Sequence, residues 1–212
     1  MSGPAAIEAL DLAALLCSRV CHDLISPVGA VVNGMEVLED TSDESTKTFA
    51  LDLIKKSAAQ ASARLQFCRL AFGSAGSAGA EIDLGDAEAV ARGFIEDDKT
   101  TLGWELPRVL LPKNHVKLLL NLLLLATQLI PRGGKITAQA SGEGAGMAFR
   151  VSAAGLNARI PQTVPGLVAG EPPGGTVDAH AIQPFFTGLL ARACGLTVAI
   201  EPEGDAIVIA AR

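Results

Sequence analysis

Residues 73–80 read Gly-Ser-Ala-Gly-Ser-Ala-Gly-Ala, a tract with nothing to hold a helix or a strand. The residue pattern changes character on either side of it, so the chain divides there. Before the tract, apolar residues recur in steps of three and four at Leu16, Val20, Leu24, Val28, Val31, Met35 and Leu38. A polar break from Glu39 to Glu44 follows, and then a second row at Ala50, Ile54, Ala58, Ala61, Leu65, Cys68 and Phe72. Two long helices joined by a short polar turn make an antiparallel hairpin. A hairpin of about 70 residues carries two apolar stripes and buries little alone, so a second copy is expected to complete a four-helix bundle as a homodimer.

After the tract the pattern is mixed. Asp86 to Ile95 and the strongly apolar Asn114 to Ile130 read as helices, the second stopped by Pro131 and Gly133-Gly134. Arg108 to Leu111 fits a short strand before Pro112. Lys135 to Ser141 and Met147 to Ala153 alternate like strands, joined by the glycine-rich run Gly142 to Gly146. Pro184 to Cys194 reads as a helix ending at Gly195. Leu196 to Ile200 and Ala206 to Ala210 close as a hairpin through Pro202 to Asp205. The expected fold class is therefore α+β. A helical hairpin over residues 1–76 forms a dimeric bundle, and residues 77–212 form an α/β sandwich with helices on one face of a mostly antiparallel sheet.

Composition narrows the function. The chain has 212 residues, 49% of them apolar, and 17 Lys+Arg against 23 Asp+Glu, which excludes disorder as a description of the whole. No basic run and no aromatic–basic interleaving exists, so direct binding to nucleic acid is not expected. The greasiest stretch, Val116 to Ile130, is interrupted by Lys117, Asn121, Thr127 and Gln128, and no membrane span is expected from it. Glu8 and Asp11 stand where a signal peptide carries Lys or Arg, and Leu16 is too large to precede a lipoprotein cysteine at Cys17. A cytoplasmic protein is expected, with Cys17, Cys21, Cys68 and Cys194 as reduced thiols.

Chemistry concentrates in Ser18-Arg19-Val20-Cys21-His22-Asp23-Leu24-Ile25-Ser26-Pro27. On a helix, His22 lies roughly 160° from both Val20 and Leu24, so it faces away from the apolar stripe. Arg19 and Ser26 share its face. An exposed imidazole beside a carboxylate is a potential nucleophile, because one neutral ring nitrogen is available near neutral pH. Asp23 can hold the other ring nitrogen or take its proton as phosphorus is attacked, and Arg19 can bind a phosphoryl oxygen. Pro27 removes the amide that would bond the Asp23 carbonyl, which should bend the helix one turn past the histidine.

His22-Asp23-x-x-Ser26-Pro27 within a helical hairpin resembles the H-box of the dimerisation and histidine-phosphotransfer domain of sensor histidine kinases. The resemblance implies that His22 is phosphorylated on a ring nitrogen, that Asp23 assists as base, and that Ser26 occupies a position influencing dephosphorylation. The second half looks like the ATP-binding (Bergerat-like) domain of those kinases, stripped of its motifs. Asn121 to Ala126 resembles the stretch that carries a Mg²⁺-coordinating Asn, but that position is Leu125. Val151 to Gly155 falls where the family has Asp-x-Gly-x-Gly, with Ala153 in place of the adenine-reading Asp and Asn157 in place of the second glycine. Thr187-Gly188-Leu189-Leu190 retains one glycine of the later phosphate loop.

Together these features are similar to the alphaproteobacterial histidine phosphotransferases, with Asn33-Gly34 part of the likeness and nearly the whole chain covered. That family implies a phosphorelay: a receiver domain of a hybrid kinase of the CckA type donates to His22. His22 then donates to receiver aspartates of response regulators of the CtrA and CpdR type, in cell-cycle control. It implies no ATP binding, no metal and no cofactor of the protein's own, with Mg²⁺ held by the partner receiver. An ATP-dependent kinase with unusual motifs, and a non-catalytic scaffold docking on receivers, are the competing readings. Cys17-x-x-x-Cys21-His22 has one residue too many between its thiols for haem attachment. His115 and His180 read as ordinary domain residues, Gly142–Gly146 as a hairpin turn, Glu171–Gly175 as a loop and Leu118–Leu125 as core.

Overall fold

The computed structural model describes residues 7–73 and 80–212; most of the glycine-rich tract, residues 74–79, lies outside them. The first half is a pair of helices, α1 (Ala9–Asp40) and α2 (Glu44–Ala71). Only Thr41, Ser42 and Asp43 separate them, and the Asp43 carboxylate starts α2 by accepting the Thr46 N–H and the Ser45 and Thr46 hydroxyls. Those hydrogen bonds hold its pKa down at about 2. The helices run antiparallel: Gly34 faces Ile54, and nearer the other end the Asp23 carbonyl faces Arg64. At Gly34 a Cβ would stand 2.7 Å from Ile54 Cγ1, so the missing side chain is what lets the two helices approach.

The second half opens with β1 (Glu81–Asp83), α3 (Leu84–Ile95), β2 (Thr100–Glu105) and β3 (Leu110–Pro112). Then come α4 (Lys113–Leu129), β4 (Gly134–Ser141), β5 (Ala148–Ala154) and α5 (Val164–Ala169). It closes with α6 (Ile182–Ala193), β6 (Val198–Glu203) and β7 (Ala206–Ala211). The main sheet has the order β2-β4-β5-β7-β6, antiparallel throughout except for β2 and β4, while β1 pairs with β3 separately. The parallel step is the one crossed by α4. That helix is apolar nearly all round, with Leu118–Leu120 and Leu122–Leu125 buried, as a helix covered on every side must be.

The sequence pattern missed β1 and β2 and the one-and-a-half-turn α5, and it began α1 and α6 late. The apolar row of α1 starts at Leu16, but the helix starts at Ala9, and its first turns pack Leu12, Leu15 and Leu16 against Leu167 of α5 and Ile182 and Phe185 of α6. The core also crosses the division of the chain. Phe67 and Ala71 of α2 are buried in the cluster that includes α3, α4 and the sheet, and Phe67 stacks on Phe94 with centroids 4.2 Å apart.

By length and composition α1 is long and apolar enough to span a bilayer, a property the residue pattern suggested for no segment. Its apolar surplus sits on Ile25, Val28, Val32 and Met35, exposed on the single chain at spacings of three and four, with Ile25 72% exposed. Phe49 and Leu65 of α2 are exposed as well.

Gly188, the one glycine compared with the later phosphate loop, has a packing role. It lies inside α6 and is buried, and a Cβ there would come 2.0 Å from the Val168 carbonyl oxygen of α5. The glycine is retained by helix packing. Gly188→Ala should therefore cost about 1–3 kcal/mol, read as a lowered midpoint in urea unfolding followed by circular dichroism.

Candidate functional site

The residues singled out in the sequence occupy successive turns of α1 and do converge. His22 is 66% exposed, and its Nδ1 lies 3.5 Å from Asp23 Oδ1. The Asp23 side chain is only 12% exposed, and its Oδ2 accepts from Arg19 Nε at 3.0 Å. The two carboxylate oxygens are thus divided between Arg19 and the His22 ring. A carboxylate facing Nδ1 favours the tautomer with the proton there, which leaves the Nε2 lone pair for an electrophile. Arg19, expected to reach a phosphoryl oxygen, is here engaged in orienting Asp23. Ser26 is exposed one turn beyond His22.

Two side chains at this site carried no role in the sequence analysis. The first is Arg64 of α2. Pro27 is buried within α1 and has no N–H for the Asp23 carbonyl four residues back. Arg64 Nη1 supplies the donor instead, at 2.7 Å. A helical proline always leaves such a carbonyl to be satisfied. The sequence signalled the need without saying which cation of the facing helix would meet it.

The second is His180. Its ring lies edge-on to that of His22, with centroids 5.7 Å apart and an 80° angle between the planes. The contact exists because α1 is docked on the second half through Leu12, Leu15 and Leu16 against Leu167, Ile182 and Phe185. His180 also lines a cleft of about 390 Å³ together with Gln128, Val164, Asp178 and Pro184.

Of the positions compared with nucleotide motifs, Leu125 and Ala153 are buried and Asn157 is exposed. Leu125 is fully buried in α4 and Ala153 fully buried in β5. Asn157 keeps a left-handed backbone (φ 60°) without the glycine. Asn121 is buried and its amide donates to the Ala71 and Lys117 carbonyls. Its Oδ1 accepts from Gln183, which also donates to Thr187 and accepts from Gln128. Both polar atoms of the Asn121 side chain are thus hydrogen-bonded within the protein. His115 is likewise inside, its Nε2 3.0 Å from the Ala145 carbonyl oxygen, which ties the glycine-rich turn to α4.

The cysteines differ in kind. Cys17 and Cys21 are exposed near His22, while Cys68 is buried on α2. Burial first, and the nearby Asp23 charge second, push the Cys68 thiol up to about 11, against the pull of Arg19 and Arg64.

Removing the Arg64 donor leaves a half-buried carbonyl unpaired. Arg64→Ala should lower stability by about 1–3 kcal/mol, visible as a reduced urea midpoint. At pH 8 the Cys68 thiol stays protonated, since its pKa lies well above that pH. Iodoacetamide should therefore label Cys17 and Cys21 long before Cys68, as followed by peptide mass spectrometry, and Cys68 should react only after unfolding or as the pH approaches 11.

The comparisons with known proteins agree with one another. The family described as the histidine phosphotransferase C-terminal domain matches residues 84–206. The chain is 48% identical over 211 residues to the protein phosphotransferase ChpT of Brucella abortus (strain 2308), covering 100% of both chains. A solved bacterial phosphotransferase superposes with a TM-score of 0.91 at 45% identity, again over 100% of each chain. The chain belongs to the histidine phosphotransferase family.

Proposed function

We propose that this protein is a histidine phosphotransferase of a multistep phosphorelay, with His22 as the residue that carries the phosphoryl group. The observation that supports this most is the division of the Asp23 carboxylate between Arg19 and His22 Nδ1, which turns Nε2 outward on an exposed helix face. In the forward step the Nε2 lone pair attacks the phosphorus of a receiver-domain aspartyl phosphate. The N–P bond forms, the acyl P–O bond breaks, and the electron pair leaves on the receiver's carboxylate. The Nδ1 proton stays against Asp23, whose negative charge offsets the positive charge the ring acquires. The return step to another receiver aspartate is the same displacement reversed.

The donor is a receiver domain of a hybrid histidine kinase of the CckA type, and the acceptors are response regulators of the CtrA and CpdR type. Mg²⁺ belongs to the receiver's acidic pocket, and the protein uses neither ATP nor a cofactor of its own. The buried Leu125 and Ala153 and the enclosed Asn121 support that part of the proposal. Two copies pair through the exposed row Ile25, Val28, Val32 and Met35, which gives a four-helix bundle with two His22 sites. The protein works in the cytoplasm, where its receiver partners are. Ser26, one turn beyond His22, faces the position where water or a receiver side chain would approach.

Wild-type protein mixed with a ³²P-labelled receiver domain and Mg²⁺ should take up acid-labile, base-stable label, and His22→Ala should take up none. Asp23→Asn should slow uptake about 10²–10³-fold. Label taken from ATP alone would instead establish a kinase, and no label from either source would leave a scaffold. Sedimentation at micromolar concentration should give the mass of two chains, and Val28→Asp with Val32→Asp should give the mass of one.

A further inference from the structure

Asp23 alone does not fix the ring of His22. The side chain is two-thirds exposed, and 3.5 Å between Nδ1 and Oδ1 is long for a hydrogen bond. The terminal torsion of an imidazole is broad and roughly two-fold. Flipping it exchanges the edge bearing Nδ1 with the carbon edge, and turns the lone pair away from the approach path.

The neighbour that resists this flip comes from the second half of the chain. The His180 ring meets that of His22 edge-on, 5.7 Å between centroids and at 80°. The side chain of His180 is itself exposed, so its place is set by its backbone. That backbone is held tightly. Asp178 Oδ1 accepts the His180 N–H at 2.9 Å and the Ala181 N–H at 2.8 Å, and the Asp178 carbonyl accepts from Ile182 as α6 begins. Ile182 and Phe185 in turn anchor the start of α6 in the apolar cluster with Leu12, Leu15 and Leu16 of α1. The same α1 that carries His22 therefore fixes the loop that carries His180.

We propose that His180 is a positioning residue for phosphoryl transfer: the second half of the chain presents its ring edge-on to His22, holding the His22 imidazole with Nδ1 toward Asp23 and Nε2 toward the receiver. The proposal rests on His22 being the phosphoryl carrier. His180 takes no phosphoryl group and exchanges no proton in the step; it narrows the orientations from which Nε2 attacks. The second half of the chain thereby completes the transfer site.

The test is single-turnover transfer from a phosphorylated receiver domain with Mg²⁺ to the full chain, across receiver concentrations, for wild type, His180→Ala, His180→Phe and His22→Ala. His180→Ala should lower the maximal rate about tenfold and leave the half-saturating receiver concentration unchanged. His180→Phe, which keeps an aromatic edge, should recover most of the rate. In ¹⁵N-labelled protein the His22 ring should lose its bias toward the Nδ1–H tautomer in His180→Ala and regain it in His180→Phe. A wild-type maximal rate in His180→Ala overturns the proposal, as does a change confined to half-saturation, which would make His180 a docking contact. His180→Phe no faster than His180→Ala overturns the role of the ring edge. Wild type that takes no label, or His22→Ala that takes it normally, removes the assignment of His22 itself and is distinct from all of these.

Discussion

Asp23 is held at both of its ends. Arg19 takes one carboxylate oxygen, and Arg64 takes the backbone carbonyl that Pro27 leaves without a helical partner. With its backbone held by Arg64 and one carboxylate oxygen by Arg19, Asp23 presents its other oxygen to His22 Nδ1. The proposed role of His22 as nucleophile depends on that arrangement, because the tautomer of an exposed imidazole is set by whatever faces its other nitrogen. The proline, which looks like a defect in a 32-residue helix, frees the carbonyl through which Arg64 of the facing helix bonds to the helix carrying His22.

The second constraint is a core that does not respect the division of the chain. Phe67 and Ala71 at the foot of α2 are buried with α3 and α4, and Asn121 of α4 donates to the Ala71 carbonyl. At the other side of the hairpin, the first turns of α1 pack on α5 and α6. The second half is thus anchored to both helices, and the start of α6 is placed beside His22. The close contact of α6 with α5 at Gly188 and the buried Gln183–Thr187–Asn121 hydrogen bonds hold α4, α5 and α6 together.

Much of this was legible in the sequence. The steps of three and four along α1 and α2, the polar break between them, and the leucine run of α4 each follow from burying one face or all faces of a helix. Arg19 and Ser26 fall on the face of His22 because helical spacing alone places them there, with Asp23 beside it. What was not legible depends on contacts between distant segments. β2 alternates Leu102 and Trp104 with Thr101, Gly103 and Glu105, but over six residues that pattern announces a strand only once β4 lies parallel beside it. Arg64 is one basic residue among several on α2 until Pro27 is placed opposite it. His180 lies 158 positions from His22 in the chain, by subtraction of their numbers, and only the docking of α6 on α1 brings them together.

The most direct test of the account is to locate the phosphoryl group atom by atom. Protein labelled with ¹⁵N in histidine, phosphorylated from a receiver domain and examined by ³¹P–¹⁵N correlation at alkaline pH, reports which nitrogen of which histidine is bonded to phosphorus. The account predicts a single phosphohistidine at His22 with the bond to Nε2 and the proton on Nδ1. A bond to Nδ1, which Asp23 faces, or a phosphoryl group on His180 or His115, would contradict it.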